Sequence, residues 1–387
     1  MIEQILNRGV AEIIDKESLI KKLNSGKKLR VKLGIDPTSP NIHLGRSIPL
    51  LKLKDFQNAG HQIVLLIGDF TALIGDTSDK DSERPMLTKE TVQANLKTYI
   101  DQASKILDIS KVEIVYNNTW LSKLNYLDIC EQADLFSINQ FISRENIAKR
   151  LEQGKRVSLR EILYPLMQGY DSVEIKADVE VGGTDQKFNL LAGRDLQRHY
   201  NQEAQDIIMG PIIEGLDGRK MSSSYGNTVN LFDTANDMFG KLMSVNDEFI
   251  IKYFTYLTRV DLQKIKEYED QLNSGTNPRD IKIQLAKAIV EIYHSKEDAD
   301  KAEQYFVNTF TKKEIPDEIE EVNASGKNIL DFIIETGLVS SKSEARRVVE
   351  QGGLKINGEA VKIEELDKVL EKGMIIQKGK LEFRKII

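Results

Sequence analysis

The sequence predicts an α/β protein with a doubly wound parallel sheet, followed by a helical region and a small α+β region. Two apolar runs, RVKLGI at 30–35 and QIVLLI at 62–67, have the composition of buried strands. A helical segment from Pro49 to Asn58 separates them, and strand, helix and strand in this order form the unit of a parallel sheet. A second helical segment, Lys89 to Leu107, precedes a predicted strand at Val112 to Tyr116, so the unit repeats.

The N-terminal stretch MIEQILNRGVAEIIDKESLIKKL has an amphipathic pattern and predicts one folded helix. It lacks the sections of a signal peptide, and its acidic residues are untypical of a transit peptide. The longest apolar runs are far shorter than a membrane span. We therefore expect a protein without a membrane segment.

Composition sets the limits for partners and compartment. The 387 residues are 40% hydrophobic and 29% charged, and this length predicts two or three domains. A net charge of −6 gives no overall attraction to nucleic acid, so an RNA contact must come from local basic patches. The single Cys130 excludes an internal disulfide framework and a multi-cysteine metal site, and a reducing cytoplasm fits it.

The pattern becomes helical from about Asp237. The segment NPRDIKIQLAKAIVEIYH has helical spacing and begins with Asn277-Pro278, an N-cap followed by a proline in the first turn. The polar stretch TKKEIPDEIEEVNASGKN predicts a linker, and short apolar runs between glycine turns predict a final α+β module. We expect domains at 1–235, 236–318 and 319–387, the last after this short linker.

The stretch GIDPTSPNIHLGRS follows the first predicted strand and leads into a helix. Ligands bind at this edge of open parallel sheets, and the N–H groups of a helix N-terminus attract phosphate. His43 is placed to donate to a phosphate oxygen, and Gly45 allows a flat group to approach the backbone. The stretch has neither the spacing of a dinucleotide fingerprint nor that of a Walker loop. A plain turn with an exposed histidine explains it equally well.

Three further stretches carry polar groups in chemically useful patterns. GRKMSSSYGN is a glycine- and serine-rich loop whose Lys220 can neutralise charge on a polyphosphate, or simply a surface loop. In YPLMQGYDSV, Tyr164, Gln168 and Asp171 share one helical face, which can grip a small polar ligand or face solvent. In VEVGGTDQKFN, two glycines and Asp185 follow a predicted strand. This arrangement suits a ribose site at the carboxyl end of the strand, or a helix N-cap after a glycine turn.

The order of these stretches resembles that of a known family. HLGR resembles the HIGH motif and KMSSS the KMSKS motif of class I aminoacyl-tRNA synthetases. With GIDPT, LIGD, YPLMQGYD and GGTDQ, essentially the whole chain resembles the bacterial tyrosyl-tRNA synthetases. SKSEARRVVEQGGLKINGEAV resembles the S4 RNA-binding domain that ends those enzymes.

The resemblance implies a Rossmann-like catalytic domain, a helical anticodon-binding domain and an S4-like domain. It implies that tyrosine reacts with ATP, as substrate and with Mg²⁺, to give tyrosyl-adenylate, and that the tyrosyl group then passes to the 3′ end of tRNA(Tyr). The catalytic residues would be His43, Gly45 and Lys220, with no tightly bound cofactor and no metal ligands from the protein. A homodimer in the cytoplasm is expected.

Carried over by position, the family pattern implies two groups of pocket residues and one RNA-binding group. ATP would contact Gly34, Asp36, Thr38, His43, Gly45, Gly183, Asp185, Ile212, Ile213, Lys220, Met221, Ser222 and Ser223. Tyrosine would contact Asp76, Asn117, Tyr164, Gln168, Asp171 and Gln186. RNA would contact Lys342, Arg346, Arg347 and Lys355. The alternative is that these four cations are solvated surface charges without an RNA contact.

Three positions depart from the family pattern: Arg46 replaces the second histidine of HIGH, Ser223 the second lysine of KMSKS, and Lys32 a tyrosine that contacts the substrate phenol in one subgroup. A tryptophan-specific enzyme is the nearest alternative, and Asp171 with the S4-like module favours tyrosine over it. An RNA-binding homologue without activity is the alternative from another class, but it has no need for His43 and Lys220 together.

Overall fold

A computed structural model describes residues 2–77, 86–312, 319–324, 326–379 and 382–387. They form two compact units, unit 1 at Met1–Ala299 and unit 2 at Asp300–Ile387. The predicted linker falls in part on residues 313–318, which lie outside the described residues, and its described part contains a strand at Glu320–Val322. The predicted boundaries after residues 235 and 318 stay a prediction.

Unit 1 is built on a six-stranded sheet. Its strands are β1 (Glu12–Ile14), β2 (Arg30–Ile35), β3 (Gln62–Ile67), β4 (Val112–Tyr116), β5 (Val179–Gly183) and β6 (Asp206–Gly210). Their order is β1-β6-β5-β2-β3-β4, and every neighbouring pair is parallel except β1 and β6. The bounds of β2, β3 and β4 match the predicted strands, and the doubly wound α/β class is confirmed.

Helices cover the sheet and make up the rest of unit 1. They are α1 (Ile2–Asn7), α2 (Lys16–Asn24), α3 (Leu44–Asn58), α4 (Thr71–Ile74), α5 (Lys89–Ser104), α6 (Asn118–Leu121), α7 (Tyr126–Asp134), α8 (Ile138–Ile142), α9 (Glu145–Glu152), α10 (Leu159–Ile175), α11 (Lys187–His199), α12 (Ala235–Met243), α13 (Ile250–Leu257), α14 (Leu262–Asn273) and α15 (Pro278–Tyr293). A further helix, α16 (Lys296–Phe306), contains the position where the two units divide.

The single helix predicted at the N-terminus is wrong. The structure divides this stretch into α1, β1 and α2, and β1 pairs with β6 at the edge of the sheet. Gly9 and Asp15 have left-handed backbone conformations, with φ of 62° and 66°, which break the helix on both sides of β1. Apolar residues that suited a helical face therefore extend the sheet.

Helix α3 begins five residues before the predicted start. His43 is its N-cap, with an extended backbone at φ −96° and ψ 165°, and Leu44 is its first residue. Pro49 lies in the second turn, where it has no N–H to donate to the Gly45 carbonyl. The HLGR motif therefore occupies the cap and first turn, where the Leu44 N–H donates to the Val229 carbonyl at 2.9 Å and the Arg46 N–H donates to the His43 carbonyl at 2.8 Å.

The predicted helical region is confirmed by α12 to α15. The Asn277 side chain accepts a hydrogen bond from the Arg279 N–H, and Pro278 occupies the first turn of α15. The helix predicted at 89–107 ends earlier, at Ser104. Among the described residues, no helix is both long enough and apolar enough to cross a bilayer.

Unit 2 has the predicted α+β organisation. Its elements are β7 (Glu320–Val322), α17 (Ile329–Glu335), α18 (Lys342–Glu350), β8 (Leu354–Ile356), β9 (Glu359–Ala360), β10 (Ile375–Lys378) and β11 (Glu382–Ile386). The strand order is β7-β11-β10-β8-β9. Side chains such as Phe332, Val349, Leu354 and Ile376 form its own buried core between the helices and the sheet.

Candidate active site

A pocket of about 600 Å³ opens in unit 1 beside β2 and β5, where the strand order changes direction. This is the position at which open parallel sheets bind ligands. All the residues predicted to contact ATP or tyrosine line it except Asn117, which lies just behind the lining. The lining includes Gly34, Asp36, Thr38, His43, Gly45, Asp76, Tyr164, Gln168, Asp171, Gly183, Asp185, Gln186, Ile212, Ile213, Lys220, Met221, Ser222 and Ser223.

The turn between β2 and α3 forms one end of the pocket. His43 is buried at the cap of α3, and Gly45 follows in the first turn. A Cβ atom at Gly45 would lie 3.1 Å from His43 Nδ1, so a larger residue here would push the imidazole aside. The Gly45 N–H points to Met221 Sδ at 3.3 Å, which brings the HLGR turn against the KMSSS loop.

Arg46 fastens the polar turn that precedes α3. Its guanidinium donates to Thr38 Oγ1 at 3.4 Å, to Ser39 Oγ at 3.4 Å and to the Tyr99 hydroxyl at 3.1 Å. Tyr99 belongs to α5, so the arginine joins two helices and the loop after β2. Arg46, which stands where the HIGH motif has its second histidine, therefore has three hydrogen-bond partners in this chain.

The KMSSS loop is held in place by its own backbone. The Met221 N–H donates to the Ile213 carbonyl at 2.9 Å, and the Ser222 N–H donates to Asn227 Oδ1 at 2.9 Å. Lys220 Nζ lies 3.0 Å from Asp185 Oδ2, so the two predicted nucleotide contacts form an ion pair across the pocket. The Ile213 carbonyl, one of the predicted adenine contacts, already accepts a hydrogen bond.

A network of amides and carboxylates lines the middle of the pocket. Gln186 Nε2 donates to Asp76 Oδ2 at 2.6 Å. Asn189 Nδ2 donates at 3.0 Å to both Gln186 Oε1 and Gln168 Oε1. Because Asn189 is buried and fixes both glutamines, it belongs to this cluster, although the sequence patterns did not single it out.

Tyr164 connects the two ends of the pocket. Its hydroxyl donates to Asp36 Oδ2 at 2.8 Å, and Asp36 Oδ1 accepts from the Thr71 hydroxyl at 2.7 Å. Burial, followed by the nearby carboxylates of Asp36 and Asp76, raises the pKa of Tyr164 well above its ordinary value. This phenol therefore stays protonated and remains a hydrogen-bond donor.

Asp171 lines the pocket from α10 and is 1% exposed. Trp120 Nε1 donates to its Oδ1 at 2.8 Å, and Asn117 Nδ2 donates to its Oδ2 at 3.2 Å. Burial raises the pKa of Asp171 to about 7, while Lys32 and these two donors oppose the rise. The Asp171 carboxyl therefore changes its charge near neutral pH.

Sequence reasoning missed Trp120 and Glu180. Trp120 is the only tryptophan in the chain, and it lies on the short helix α6 beside Asn117. Glu180 forms a buried ion pair with Lys32, Nζ to Oε1 at 2.9 Å. A charged residue in the middle of each of two buried strands, RVKLGI and VEVGG, is the signal that could have found this pair, because parallel strands are otherwise apolar.

The four predicted RNA contacts lie in unit 2. Lys342, Arg346 and Arg347 are exposed on α18, whose Ala345 and Val349 face the core. Lys355 lies in β8 and is partly buried. The three helical cations thus form an exposed basic face on one element.

Comparisons with known proteins agree across the chain. The family "tRNA synthetases class I (W and Y)" matches residues 24–311, and the family "Tyrosine--tRNA ligase SYY-like C-terminal domain" matches residues 308–386. The tyrosine–tRNA ligase of Thermotoga maritima is 47% identical over 99% of this chain and 96% of the relative. That of Francisella tularensis is 46% identical over 99% and 98% respectively.

Solved structures show the same fold. The tyrosyl-tRNA synthetase of Archaeoglobus fulgidus, complexed with L-tyrosine, has a TM-score of 0.62 at 25% identity and covers 78% of this chain and 98% of its own. A C-terminally truncated mitochondrial tyrosyl-tRNA synthetase of Aspergillus nidulans has a TM-score of 0.67 at 21% identity, over 80% and 94% respectively. These neighbours have a doubly wound, Rossmann-like catalytic domain, as this chain does.

Proposed function

The chain belongs to the tyrosine–tRNA ligases, which are class I aminoacyl-tRNA synthetases, and from that premise we propose roles for its pocket residues. It joins tyrosine to tRNA, with ATP as the third substrate. One observation carries the orientation of these substrates: a buried carboxylate, Asp171, lies at one end of the pocket, and a helix N-terminus with His43 lies at the other.

The amino acid occupies the end at Asp171. A phenol hydroxyl donates to a carboxylate, whereas phenylalanine would leave that buried acceptor without its ligand partner. Asp76, Gln186, Gln168 and Tyr164 form the polar middle of the pocket and receive the α-amino and carboxylate groups. Asn117 acts from behind by holding Asp171.

ATP occupies the end at α3. Its phosphates meet His43 at the positive end of α3, because the first-turn N–H groups of Leu44, Gly45 and Arg46 already have acceptors. Its adenine passes Gly45 and the main chain at Ile212 and Ile213, and its ribose meets Asp185. Gly34, Asp36, Thr38, Gly183, Met221, Ser222 and Ser223 complete this lining. Lys220 leaves its ion pair with Asp185 to neutralise the phosphates.

The chemistry then requires positioning and charge stabilisation rather than a protein nucleophile. An oxygen of the tyrosine carboxylate forms a bond to the α-phosphorus of ATP, and the bond from that phosphorus to pyrophosphate breaks. Lys220 stabilises the negative charge that grows on the phosphorus and the leaving group. A 3′-terminal ribose hydroxyl of tRNA then takes the tyrosyl group, and AMP leaves.

We propose that Mg²⁺ enters as the ATP complex. Across the described part of the chain, His, Cys, Asp and Glu side chains form no cluster of three or more that could hold a metal. Mg²⁺ keeps several waters and needs few protein ligands when it is bound to phosphates, so the pocket fits this arrangement. The ion would add positive charge at the phosphates beside Lys220.

A homodimer is supported by exposed apolar side chains on three helices of unit 1, α7, α8 and α10. Tyr126 and Leu127 are 84% and 65% exposed on α7, and Ile138 on α8 is 69% exposed. Leu159, at the start of α10, is 68% exposed. Large apolar groups exposed at this density are typical of a protein contact, and a second copy of the chain is the partner we propose.

We further propose the predicted division of labour and location. Residues 1–235 carry the pocket, residues 236–318 would read the anticodon region, and residues 319–387 would bind tRNA through Lys342, Arg346, Arg347 and Lys355. The single cysteine supports a reducing, cytoplasmic location.

Amino-acid-dependent pyrophosphate exchange tests the orientation. We expect exchange with tyrosine and almost none with phenylalanine or tryptophan. Asp171→Asn should raise the KM for tyrosine more than that for ATP, whereas Asp185→Asn should affect ATP more. If Asp171→Asn changed only the KM for ATP, the proposed orientation would be wrong.

A further inference from the structure

A charged pair lies fully buried beneath the amino-acid end of the pocket. Lys32 on β2 and Glu180 on β5 are 0% and 1% exposed, and their side chains meet at 2.9 Å. Lys32 Nζ also donates to Ser172 Oγ at 2.8 Å and to the Gln168 carbonyl at 3.1 Å. One ammonium group thus joins two strands to the turn of α10 that carries Asp171.

The hydrogen bonds of the two buried carboxylates differ. Glu180 accepts from Lys32 and Gln168 at Oε1, and from Ser172 and Gln205 at Oε2. These four donors fill the acceptor capacity of a carboxylate. Asp171, by contrast, accepts two hydrogen bonds from the described residues, so each of its oxygens keeps room for another donor.

The charges that act on Asp171 come from β2 and β5, whereas α6 and its cap contribute the uncharged donors Trp120 and Asn117. Lys32 lies on β2 and Glu180 lies on β5. The Tyr164 phenol lies on α10, the same helix as Asp171, and is close to the carboxylates of Asp36 and Asp76. Lys32 is the cation that lowers the pKa of Asp171, and Glu180 raises it. Without Lys32, two carboxylates would share one buried region with no ammonium group to balance them.

We propose that the Lys32–Glu180 ion pair is a positioning device for tyrosine selection. By filling Glu180 and holding the Gln168–Ser172 turn, it leaves Asp171 as the carboxylate that accepts the phenol, and its lysine offsets the repulsion between the two carboxylates. This inference rests on the proposed function, because it assigns the phenol to that end of the pocket.

Two single substitutions test the device because they predict opposite shifts. Lys32→Met keeps most of the aliphatic stem and removes the cation, so the acid limb of kcat/KM for tyrosine should move up by about one pH unit. At neutral pH the KM for tyrosine should rise about fivefold, while the KM for ATP stays unchanged. Glu180→Gln removes the repelling carboxylate, so the limb should move down.

Two further variants control for folding and for the loss of a buried lysine in general. Lys32→Met combined with Glu180→Gln removes both charges and leaves neither buried partner uncompensated. Its acid limb should lie near that of the wild type. Lys22→Met breaks a second ion pair, between the partly buried Lys22 and the buried Asp206 at 3.2 Å, which lies outside the pocket lining. That variant should leave the limb in place.

Trp120 supplies a readout that needs no substrate. Its indole N–H donates to Asp171, and it is the only tryptophan, so its emission during a pH titration reports protonation of that carboxylate. The midpoint should rise in Lys32→Met and fall in Glu180→Gln. Opposite shifts in the free protein without tyrosine-dependent exchange would uphold the coupling of Lys32 and Glu180 to Asp171 and reject the proposed function.

A purely architectural ion pair gives a different outcome. Both single variants would then raise the KM for tyrosine and leave the Trp120 midpoint and the acid limb unmoved. That result, or shifts in the same direction, would overturn the proposal. If Lys32→Met does not fold, an unmoved midpoint in Glu180→Gln is sufficient to overturn it.

Discussion

At the scale of single residues, the ionisation of Asp171 links the pocket to pH. Its pKa is raised to about 7 because burial disfavours the charged carboxylate. A raised pKa means that the carboxylate gains a proton as pH falls through this value, and a protonated carboxyl is a weaker acceptor for the phenol. The pocket should therefore prefer tyrosine most strongly above about pH 7.

This gives a pH-dependence that can be measured. Between about pH 7 and about pH 6, kcat/KM for tyrosine should fall several-fold, approaching tenfold per pH unit at lower pH. The kcat/KM for ATP, measured at saturating tyrosine, should change much less. Asp171→Asn should lose most of the activity, and its kcat/KM for tyrosine should no longer fall with decreasing pH in this range. A flat tyrosine profile across this range would contradict the assignment of Asp171.

The charge of the single side chain Lys220 should determine the rate of adenylate formation. We expect Lys220→Ala to slow adenylate formation in a single turnover by about 10²–10³-fold, because a preorganised charge at the transferring phosphoryl group is lost. Tyrosine binding should change little, since Lys220 pairs with Asp185 rather than with the Asp171 end. Arg219→Ala is the matched control, because Arg219 pairs with Asp217 and does not line the pocket. Equal losses in both variants would remove Lys220 from its role.

Sequence reasoning reached most of the pocket at this scale, and its gaps have a physical cause. His43, Asp185 and Lys220 lie in turns whose composition already marks a strand end or a polar loop. Trp120 and Glu180 act through partners that are 51 and 148 residues away in the chain. Spacing along the chain carries no information about such contacts, which arise only when β2, β5 and α10 pack together.

At the scale of elements, α3 is held by charges as well as by apolar packing. Asp55 accepts from Arg259 Nε at 3.0 Å and from Nη2 at 3.1 Å, and Lys52 lies 3.5 Å from it. Arg8 lies close enough for its pKa to be influenced by both Asp55 and Arg259. Three cations from three parts of unit 1 thus surround one nearly buried carboxylate.

Removing that carboxylate should loosen the joint between α3 and the helices around α13. Asp55→Asn leaves Lys52 and Arg259 uncompensated, and we expect unfolding in urea to require about 3 kcal/mol less free energy. Asp101→Asn is the control: this aspartate is exposed on α5 and makes no ion pair with any described residue. An Asp55→Asn protein as stable as the control would show that the cluster does not hold α3.

The predicted elements were accurate where a local pattern decided the structure. Strands β2, β3 and β4 are short apolar runs bounded by turns, and burial in a parallel sheet needs nothing more. The N-terminal segment failed because its apolar spacing suits a helix, while pairing with β6 and two left-handed residues made it a strand. Strand pairing at a sheet edge is a long-range event that periodicity does not record.

At the scale of the whole molecule, the two chemical steps make different demands on the chain. Activation needs tyrosine, ATP and the pocket of unit 1, whereas transfer also needs a bound polynucleotide. The net charge of −6 opposes general RNA binding, so basic faces must supply it locally. The exposed cations of α18 are such a face, and they lie far along the chain from the pocket residues.

This division predicts a variant that separates the two steps. Arg346→Ala with Arg347→Ala should leave tyrosine-dependent pyrophosphate exchange unchanged and raise the KM for tRNA in aminoacylation. Each lost phosphate contact should also lower the slope of log K against log salt by about 0.7–0.9. Glu350→Ala, an exposed change on the same helix, should not weaken tRNA binding. Unchanged tRNA binding and salt slope in the double variant would show that these arginines are solvated surface charges.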